Sequence, residues 1–557
     1  MKNSTESVLK EEIKSVNNTN VSAAITAALD AANSVSVEST SLVSYQCNNH
    51  VLIIGDDQRV SEVINKLPES MIITVLIDKK ETDINPASLP ATVSLAYGQL
   101  SSLSGHLGHF VAELMVNGKL TNLAQVYYPK IKGFDQVIDL GSTPMLNTNL
   151  LPFGYFSPQS ENELAEVIST IPEMLGEFEK PKFFEYNADI CAHGNSGLLA
   201  CQRCINACPA SAISSLKEKI QVDPFLCQGG GTCATVCPSG AIQYVYPRLQ
   251  DTLEKIRSML KAYFAAGGEH PGIAFYGAEE ASLFEHASLE NHIPFQIEEI
   301  ASAGMDVWLS AFAYGARDIV LLTHENTLAE VNETLDVQMS YAHAIMAGMG
   351  FEPACLHKLV LKSNTEIAAT PINDSFTAVT PGTFLALNDK RSAIRMATDH
   401  LYLFAPTSEE VVSLPAGAPF GEVQVNKEAC TLCMACVSVC PAKALADGGE
   451  VPQLRFSEAN CVQCGLCSTA CPEMALTLSS RYNFDPALKR EQRILHEDEP
   501  FCCTKCNKPF ATHAVINTIM GKLGNHSMFQ TDEAINRLKM CEDCRVRDMF
   551  SNEMKIN

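Results

Sequence analysis

The chain of 557 residues is long enough for three or four domains, and 46% hydrophobic against 19% charged residues marks it as globular rather than disordered. A net charge of −24 argues against nucleic acid as a partner and points toward basic protein surfaces. The longest apolar runs, such as 71–77, are strand-sized, so no membrane insertion is expected; without a basic-then-apolar leader, a cytoplasmic location is expected too.

In chain order, residues 1–48 read as a flexible leader whose most helical stretch is Ser22–Ala32. An α/β domain is expected over 49–180. Its strands are Val51–Gly55, Ile72–Ile77 and Gln136–Leu140, branched apolar runs of the kind buried in parallel sheets, and a helix spans Glu161–Phe178. A first cysteine module occupies 181–248. A second α/β domain, 249–362, carries strands Gly272–Tyr276 and Asp318–Leu322, with helices Met305–Tyr314 and Leu328–Met349, the latter ending at Gly350. A linker region (363–420), a second cysteine module (421–482) and a cysteine-bearing tail (495–557) complete the chain. The α/β parts read as Rossmann-like. Even so, Val51-Leu-Ile-Ile-Gly55 ends in a single glycine followed by Asp56 and Asp57, and two carboxylates there oppose a dinucleotide pyrophosphate.

Cysteine is the informative residue. Twenty of the 22 cysteines fall in groups with metal-ligand spacing, which a disulfide framework in a reducing compartment does not explain. The hexapeptide Cys-Pro-x-x-Ala-(Ile/Leu) occurs four times, at Cys208, Cys237, Cys440 and Cys471. Ahead of the last two lie complete C-x2-C-x2-C-x3-C-P runs: Cys430, Cys433, Cys436, Cys440 and Cys461, Cys464, Cys467, Cys471. Three thiolates at this spacing wrap three corners of one iron–sulfur cube, and the fourth ligates the other cube. The fourth cysteine is expected to start a helix that leads away, with its proline in the first turn. The expected sets are Cys430, Cys433, Cys436 with Cys471, and Cys461, Cys464, Cys467 with Cys440.

The first module is the same design, altered. A strand of alternating pattern precedes the first cysteine of every run, with a small polar residue four positions ahead of it: Asn187, Asp223, Asn426 and Ser457. That register makes Cys191 the first ligand, with a loop inserted before Cys201, and gives the set Cys191, Cys201, Cys204 and Cys237. In the second run Gly230 stands where a thiolate belongs, leaving Cys208, Cys227 and Cys233. Three thiolates fit a [3Fe–4S] cluster, or a [4Fe–4S] cluster with one iron held by water or a distant group; loss of this cluster is the third alternative. A three-iron cluster would lie at higher potential, as a sink or relay.

In the tail, Cys503-x2-Cys506 and Cys541-x2-Cys544 have the spacing of a four-thiolate zinc site, favoured over a further iron–sulfur cluster because no Cys-Pro follows. Cys502 is an alternative to Cys503, and His513 and His526 lie in the insert. Cys47 and Cys355 stand alone and read as thiols without a role.

Over 425–480 these runs resemble the bacterial two-cluster ferredoxin family. The resemblance implies a pseudo-twofold α+β fold, two [4Fe–4S] clusters and low-potential one-electron transfer. The expected architecture is therefore α+β and α/β multidomain, with two ferredoxin-like dicluster modules joined by α/β domains and a small cysteine-rich tail. Met305–Lys358 resembles the delta subunit of methyl-viologen-reducing hydrogenases; only Cys355 is available for that family's [2Fe–2S] centre, so the likeness implies a docking scaffold. Ile190-Cys-Ala-His-Gly194, Cys461-Val-Gln-Cys-Gly-Leu-Cys467 and Met540-Cys-Glu-Asp-Cys-Arg545 resemble the long iron–sulfur proteins that accompany bacterial formate dehydrogenases, which implies a relay or accessory role and that enzyme as a partner.

Three functions compete. The first is a non-catalytic electron-transfer protein or subunit serving cytosolic redox proteins. The second is a flavin- or nicotinamide-linked oxidoreductase subunit, and the third a factor for maturation of clusters or a molybdenum enzyme. No nucleophile–base pair or glycine-rich phosphate loop supports the second, and fully ligated cubes suit the first.

Overall fold

The computed structural model describes residues 19–77, 86, 89–116, 118–281, 289, 292–362, 375–407, 409–449, 451–523, 526–529 and 531–553. The first α/β domain is built on five parallel strands in the order Val93–Tyr97, Ile72–Ile77, His50–Ile54, Gln136–Asp139, Tyr155–Phe156. The central strands are mostly apolar because both faces are covered, with Thr74, Gln136 and Asp139 as buried polar exceptions. Helices Asp57–Lys66 and Glu161–Glu173 set Val60, Val63, Leu164 and Ile171 on one face. On the other, an antiparallel sheet of Leu100–His106, His109–Val116 and Lys119–Asn122 contributes Leu103, Phe110 and Ala112. Asp56 caps the helix after the first strand, its carboxylate accepting from the Arg59 N–H at 3.1 Å. The position where an anion would sit is thus filled by the chain itself.

Two expectations for this region are corrected. The helix expected over 161–178 stops at Glu173, just past Pro172, and Gly176 at φ +121° turns the chain into a strand, Gly176–Pro181. That strand pairs antiparallel with Leu42–Cys47. The leader is therefore not a free arm over 19–47; residues 1–18 lie outside the described residues. The helix Thr19–Asn33 buries Ala24, Ile25, Ala28 and Ala32 in the same core as Leu253 and Ile256 of the helix Leu249–Ala265. Small residues on that stripe let the two helices approach closely.

The second α/β domain has four parallel strands in the order His292–Gln296, Gly272–Tyr276, Asp318–His324, Leu356–Leu361. The helix Met305–Ala313 is buried on every side, with Trp308 fully enclosed, and Ala329–Gly348 ends ahead of Gly350 at φ +79°. Part of the segment expected as a linker, 363–374, lies outside the described residues. The remainder carries the helix Lys390–Tyr402, whose Ala393, Ile394, Ala397 and Leu401 join the domain core. It is an integral helix, not a spacer.

In each cysteine module, two antiparallel strand pairs are related by the internal repeat. Phe184–Tyr186 pairs with Ile242–Tyr244, and Ile213–Leu216 with Lys219–Val222. Gly421–Val425 pairs with Leu476–Asn483, and Leu445–Gly448 with Val451–Phe456. The short helices Arg203–Asn206, Thr232–Val236, Ala435–Ser438 and Leu466–Ala470 precede the Cys-Pro steps instead of following them. This corrects the expectation of a helix exit. Cys237 and Cys471 cap their helices in extended conformation, and the proline stops the helix so that the chain can return as a strand. Among the described residues, no helix is long and apolar enough to cross a membrane.

Candidate metal centres

The repeat has a hydrogen-bonding logic that places every run. The backbone N–H of Asn187, Asp223, Asn426 and Ser457 donates to the carbonyls of Ala241, Ala212, Ala475 and Ala444 at 2.7, 2.8, 2.8 and 2.8 Å. Each acceptor is the alanine of a Cys-Pro-x-x-Ala hexapeptide belonging to the other run of its module, so the two runs are tied crosswise. The side chains of Asn187, Asp223 and Asn426 in turn accept from N–H groups two residues on, folding the turn that presents Cys191, Cys227 and Cys430. Behind the fourth cysteines, the N–H groups of Ala212, Ala444 and Ala475 reach the sulfurs of Cys208, Cys440 and Cys471 at 3.3–3.4 Å. Such N–H groups stabilise charge on a ligand sulfur.

This arrangement gathers the cysteines into sets. Cys430, Cys433, Cys436 and Cys471 line one small cavity of about 20 Å³. Cys440, Cys461, Cys464 and Cys467 line a second of about 20 Å³. Cys208, Cys227 and Cys233 line a third, of about 30 Å³, with Gly229, Gly230 and Gly231. Cys191, Cys201, Cys204 and Cys237 lie close enough to act on one another electrostatically. Burial, reinforced by neighbouring thiols, pushes Cys204 and Cys436 up to about 12, and burial pushes Cys464 up to about 11. Thiols in such apolar pockets do not ionise together unaided; a group that carries compensating positive charge and takes sulfur ligands is what the donor sets fit. The residues that would hold iron–sulfur clusters are these four sets, and the chemistry such clusters supply is one-electron storage.

The two modules are docked through their inner sets, that of Cys201 in the first and that of Cys464 in the second, which lie close enough for Cys201 to act on Cys464. The insertion between Cys191 and Cys201 forms a hairpin, Gly194–Asn195 with Leu198–Leu199, whose second strand packs on the helix Leu466–Ala470. Asn195 donates to the Ser438 carbonyl at 3.4 Å, and His193, buried beneath, bridges the Cys201 carbonyl and the Ser215 hydroxyl at 2.8 Å each. Two buried cations complete the joint. Arg391 donates to the carbonyls of Pro238 and Pro419 from one nitrogen and of Ala459 and Cys461 from the other, at 2.9–3.2 Å. Lys390 donates to the carbonyls of Ala234, at 2.9 Å, and Thr235. Sequence reasoning missed both; a Lys-Arg pair after a capping Asp389 carries no signal of burial.

The tail is of another kind. The sulfurs of Cys503, Cys506, Cys541 and Cys544 all lie within 4.8 Å of one another, with Cys506 and Cys541 3.6 Å apart. Four sulfurs at about 2.3 Å from a single zinc would be separated by roughly 3.8 Å, so the quartet fits a mononuclear ion rather than a cube. Cys502, His513 and His526 are not in this set. Burial raises the Cys503 thiol, but the N–H groups of Cys541, Cys506 and Lys505 outweigh it and bring it down to about 6; hydrogen bonding from Cys506 and Cys541 pushes Cys544 up to about 12. The tail abuts the outer set of the second module, with the Thr512 hydroxyl donating to the Thr431 carbonyl at 3.2 Å and Lys522 paired with Glu473 at 3.2 Å. Cys47 and Cys355 lie outside these sets and are buried.

Comparison with known proteins agrees with the two modules. Residues 429–476 and residues 199–241 each match a model described as a 4Fe-4S dicluster domain, the second match beginning after Cys191. A stretch of 47 residues is 51% identical to the indolepyruvate oxidoreductase subunit IorA of Pyrococcus horikoshii, covering 8% of this chain and 7% of that protein. A stretch of 64 residues is 41% identical to the Pyrococcus abyssi protein of the same name, covering 11% and 9%. The chain thus spans less than a tenth of the length of these relatives. What they share with it is local. The protein is a mixed α/β multidomain chain that carries two ferredoxin-like 4Fe-4S dicluster domains and a four-cysteine group near its C-terminus.

Proposed function

We propose that this chain is a non-catalytic electron-transfer protein or subunit, which uses up to four iron–sulfur clusters to connect redox proteins that exchange single electrons. The observation that carries this reading is the joint at Arg391, where one guanidinium reaches the carbonyls of Pro238, next to Cys237, and of Cys461. Two independent carriers on one polypeptide need no such joint. Two modules that share electrons do, because transfer falls steeply with separation. The chain's own residues do the rest: they exclude water from the thiols, direct N–H groups at sulfur, and set two buried cations beside the inner sets.

Its place as a subunit beside an oxidoreductase is supported by the name of the two relatives, and an association with formate dehydrogenase by the motif likenesses around Cys191, Cys461 and Cys541. The parallel sheets suit Rossmann-like domains that act as scaffold, including the part that resembles a hydrogenase delta subunit, with Asp56 filling the turn where a dinucleotide phosphate would go. In the tail, zinc serves to fasten the C-terminal helices against the second module.

The test is anaerobic reduction of the purified chain by dithionite, followed by stopped-flow mixing with an oxidised partner or a one-electron dye. Bleaching of the visible spectrum, with recovery in which the clusters re-oxidise as one connected set, supports the reading. Two modules that re-oxidise with unrelated kinetics would refute it.

A further inference from the structure

The three-cysteine cavity has a twin within the same chain, and two of the wall positions at which they differ bear on ligand binding. In the twin, Cys440, Cys461, Cys464 and Cys467 are walled by Val423 and Leu478, which face each other across a strand pair. In the first module the same register brings Phe184 opposite Tyr244. Gly230 stands at the position of Cys464, and Tyr244 at the position of Leu478, each seven residues beyond the closing cysteine of its module.

The glycine run Gly229-Gly230-Gly231 separates what the backbone demands from what the cavity demands. Gly229 is at φ +85° and an added Cβ would lie 2.8 Å from the Phe183 ring; Gly231 is at φ +73° and an added Cβ would lie 2.5 Å from the Ser302 backbone. Both must be glycine. Gly230 is under neither constraint: a Cβ there meets nothing within 4 Å. The residue the backbone leaves free is the one at the ligand position, where the twin carries Cys464.

The Tyr244 hydroxyl is buried and has no hydrogen-bond partner among the described residues. Buried polar groups are normally satisfied, so an orphan hydroxyl on a residue that lines a ligand cavity offers a donor to an incoming acceptor; Tyr244 also borders the neighbouring cavity and feels Glu298 and Glu299 as well as Cys227 and Cys233. Nearby, the ammonium of Lys180 donates to the carbonyls of Phe225 and Cys227 at 2.9 and 2.6 Å, setting a positive charge beside the same cavity. Leu478 in the twin offers no donor, and Cys464 leaves no position to fill.

Resting on the iron–sulfur reading above, we propose that the cavity of Cys208, Cys227 and Cys233 is a ligand-accepting centre that takes a small exogenous thiolate at the position opposite Gly230, with the Tyr244 hydroxyl as its hydrogen-bond donor. A soft anion of one sulfur atom reproduces what Cys464 supplies in the twin. On binding, the thiol would lose its proton to solvent and its sulfur lone pair would form one bond to the iron that lacks a protein thiolate, displacing the water held there; no electron would be transferred. Tyr244 acts on the ligand and not as the ligand.

The test uses the full chain, reconstituted anaerobically, with 2-mercaptoethanol as probe and electron paramagnetic resonance of the dithionite-reduced protein as readout. Addition of the thiol should shift the spectrum of one cluster saturably in the wild type. Tyr244→Phe should weaken that binding roughly tenfold, the worth of about one hydrogen bond, with unchanged iron content. Gly230→Cys should abolish the response, because the chain then brings its own thiolate. A wild type that gives an oxidised three-iron signal near g ~ 2.01 and ignores the thiol overturns the proposal while the iron–sulfur reading stands. An equal response in all three proteins overturns it as well. Only a protein without iron would remove both.

Discussion

The guanidinium of Arg391 donates to the backbone carbonyl of Cys461 at 2.9 Å, and its other end reaches Pro238, the residue after Cys237. One buried side chain therefore spans from the residue after Cys237 in the first module to Cys461 in the second. Replacing it with methionine strips donors from four buried carbonyls, at a cost of roughly 3–6 kcal/mol. Arg391→Met should lower the denaturant midpoint and shift the potential of the cluster at Cys461 downward as the positive charge is lost. Arg391→Lys, which keeps charge without the fork, should restore the potential better than the stability. Redox titration with denaturant unfolding checks both; equal effects of the two substitutions would contradict this role.

The hairpin 194–199 provides the second fastening. Replacing Asn195–Leu199 by a Gly-Ser segment of equal length removes the packing on Leu466–Ala470 and the bond to Ser438. Cluster content should be retained, whereas magnetic interaction between the two modules in the reduced protein should weaken. Unaltered line broadening would show that the hairpin does not set their spacing.

Adjacent glycines should behave in opposite ways. Gly231→Ala forces a side chain toward the Ser302 backbone at φ +73° and should cost roughly 1–3 kcal/mol or more. Gly230→Ala meets open space and should stay within about 0.5 kcal/mol of the parent. Thermal unfolding of the two variants is the measurement, and similar losses would contradict the geometry.

Much of this was legible in the sequence, for a physical reason. Thiolate spacing is dictated by the inorganic group, so the runs Cys430 to Cys471 could be read directly, and the strand register pointed past the insertion to Cys191, which the fold brings near Cys201 and Cys204. The central strands of both α/β domains were legible as apolar runs, whereas Val93–Tyr97, Tyr155–Phe156, His292–Gln296, Leu356–Leu361 and the antiparallel sheet of the first domain were not. What escaped depends on tertiary surroundings. Lys390 and Arg391 are ordinary charged residues until two modules close over them. The helix Thr19–Asn33 was legible over Ser22–Ala32, but its packing on the helix Leu249–Ala265 was not. The position of the helices relative to Cys-Pro was inverted, because proline serves both as a first-turn residue and as a stop, and only the backbone of Cys237 and Cys471 decides which.

The tail should release its ion on acidification. Cys503 titrates near 6 and is already ionised at neutral pH, whereas Cys544, near 12, gives up its proton to the incoming metal. Affinity should therefore rise with pH, fall as pH is lowered, and fall more steeply below about 6 once Cys503 is protonated as well. Competition with a chromophoric chelator at two pH values should give at least tenfold weaker zinc binding in the acidic sample. Cys503→Ser should lose the zinc with the visible spectrum intact. Affinity independent of pH would contradict this arrangement.

The most direct test of the account is the count of iron and acid-labile sulfide in protein prepared without oxygen, with zinc measured on the same sample. Four clusters predict about fifteen or sixteen iron atoms per chain, sulfide in similar number, and one zinc. A colourless chain whose Cys430–Cys471 thiols carry zinc and no sulfide would contradict it.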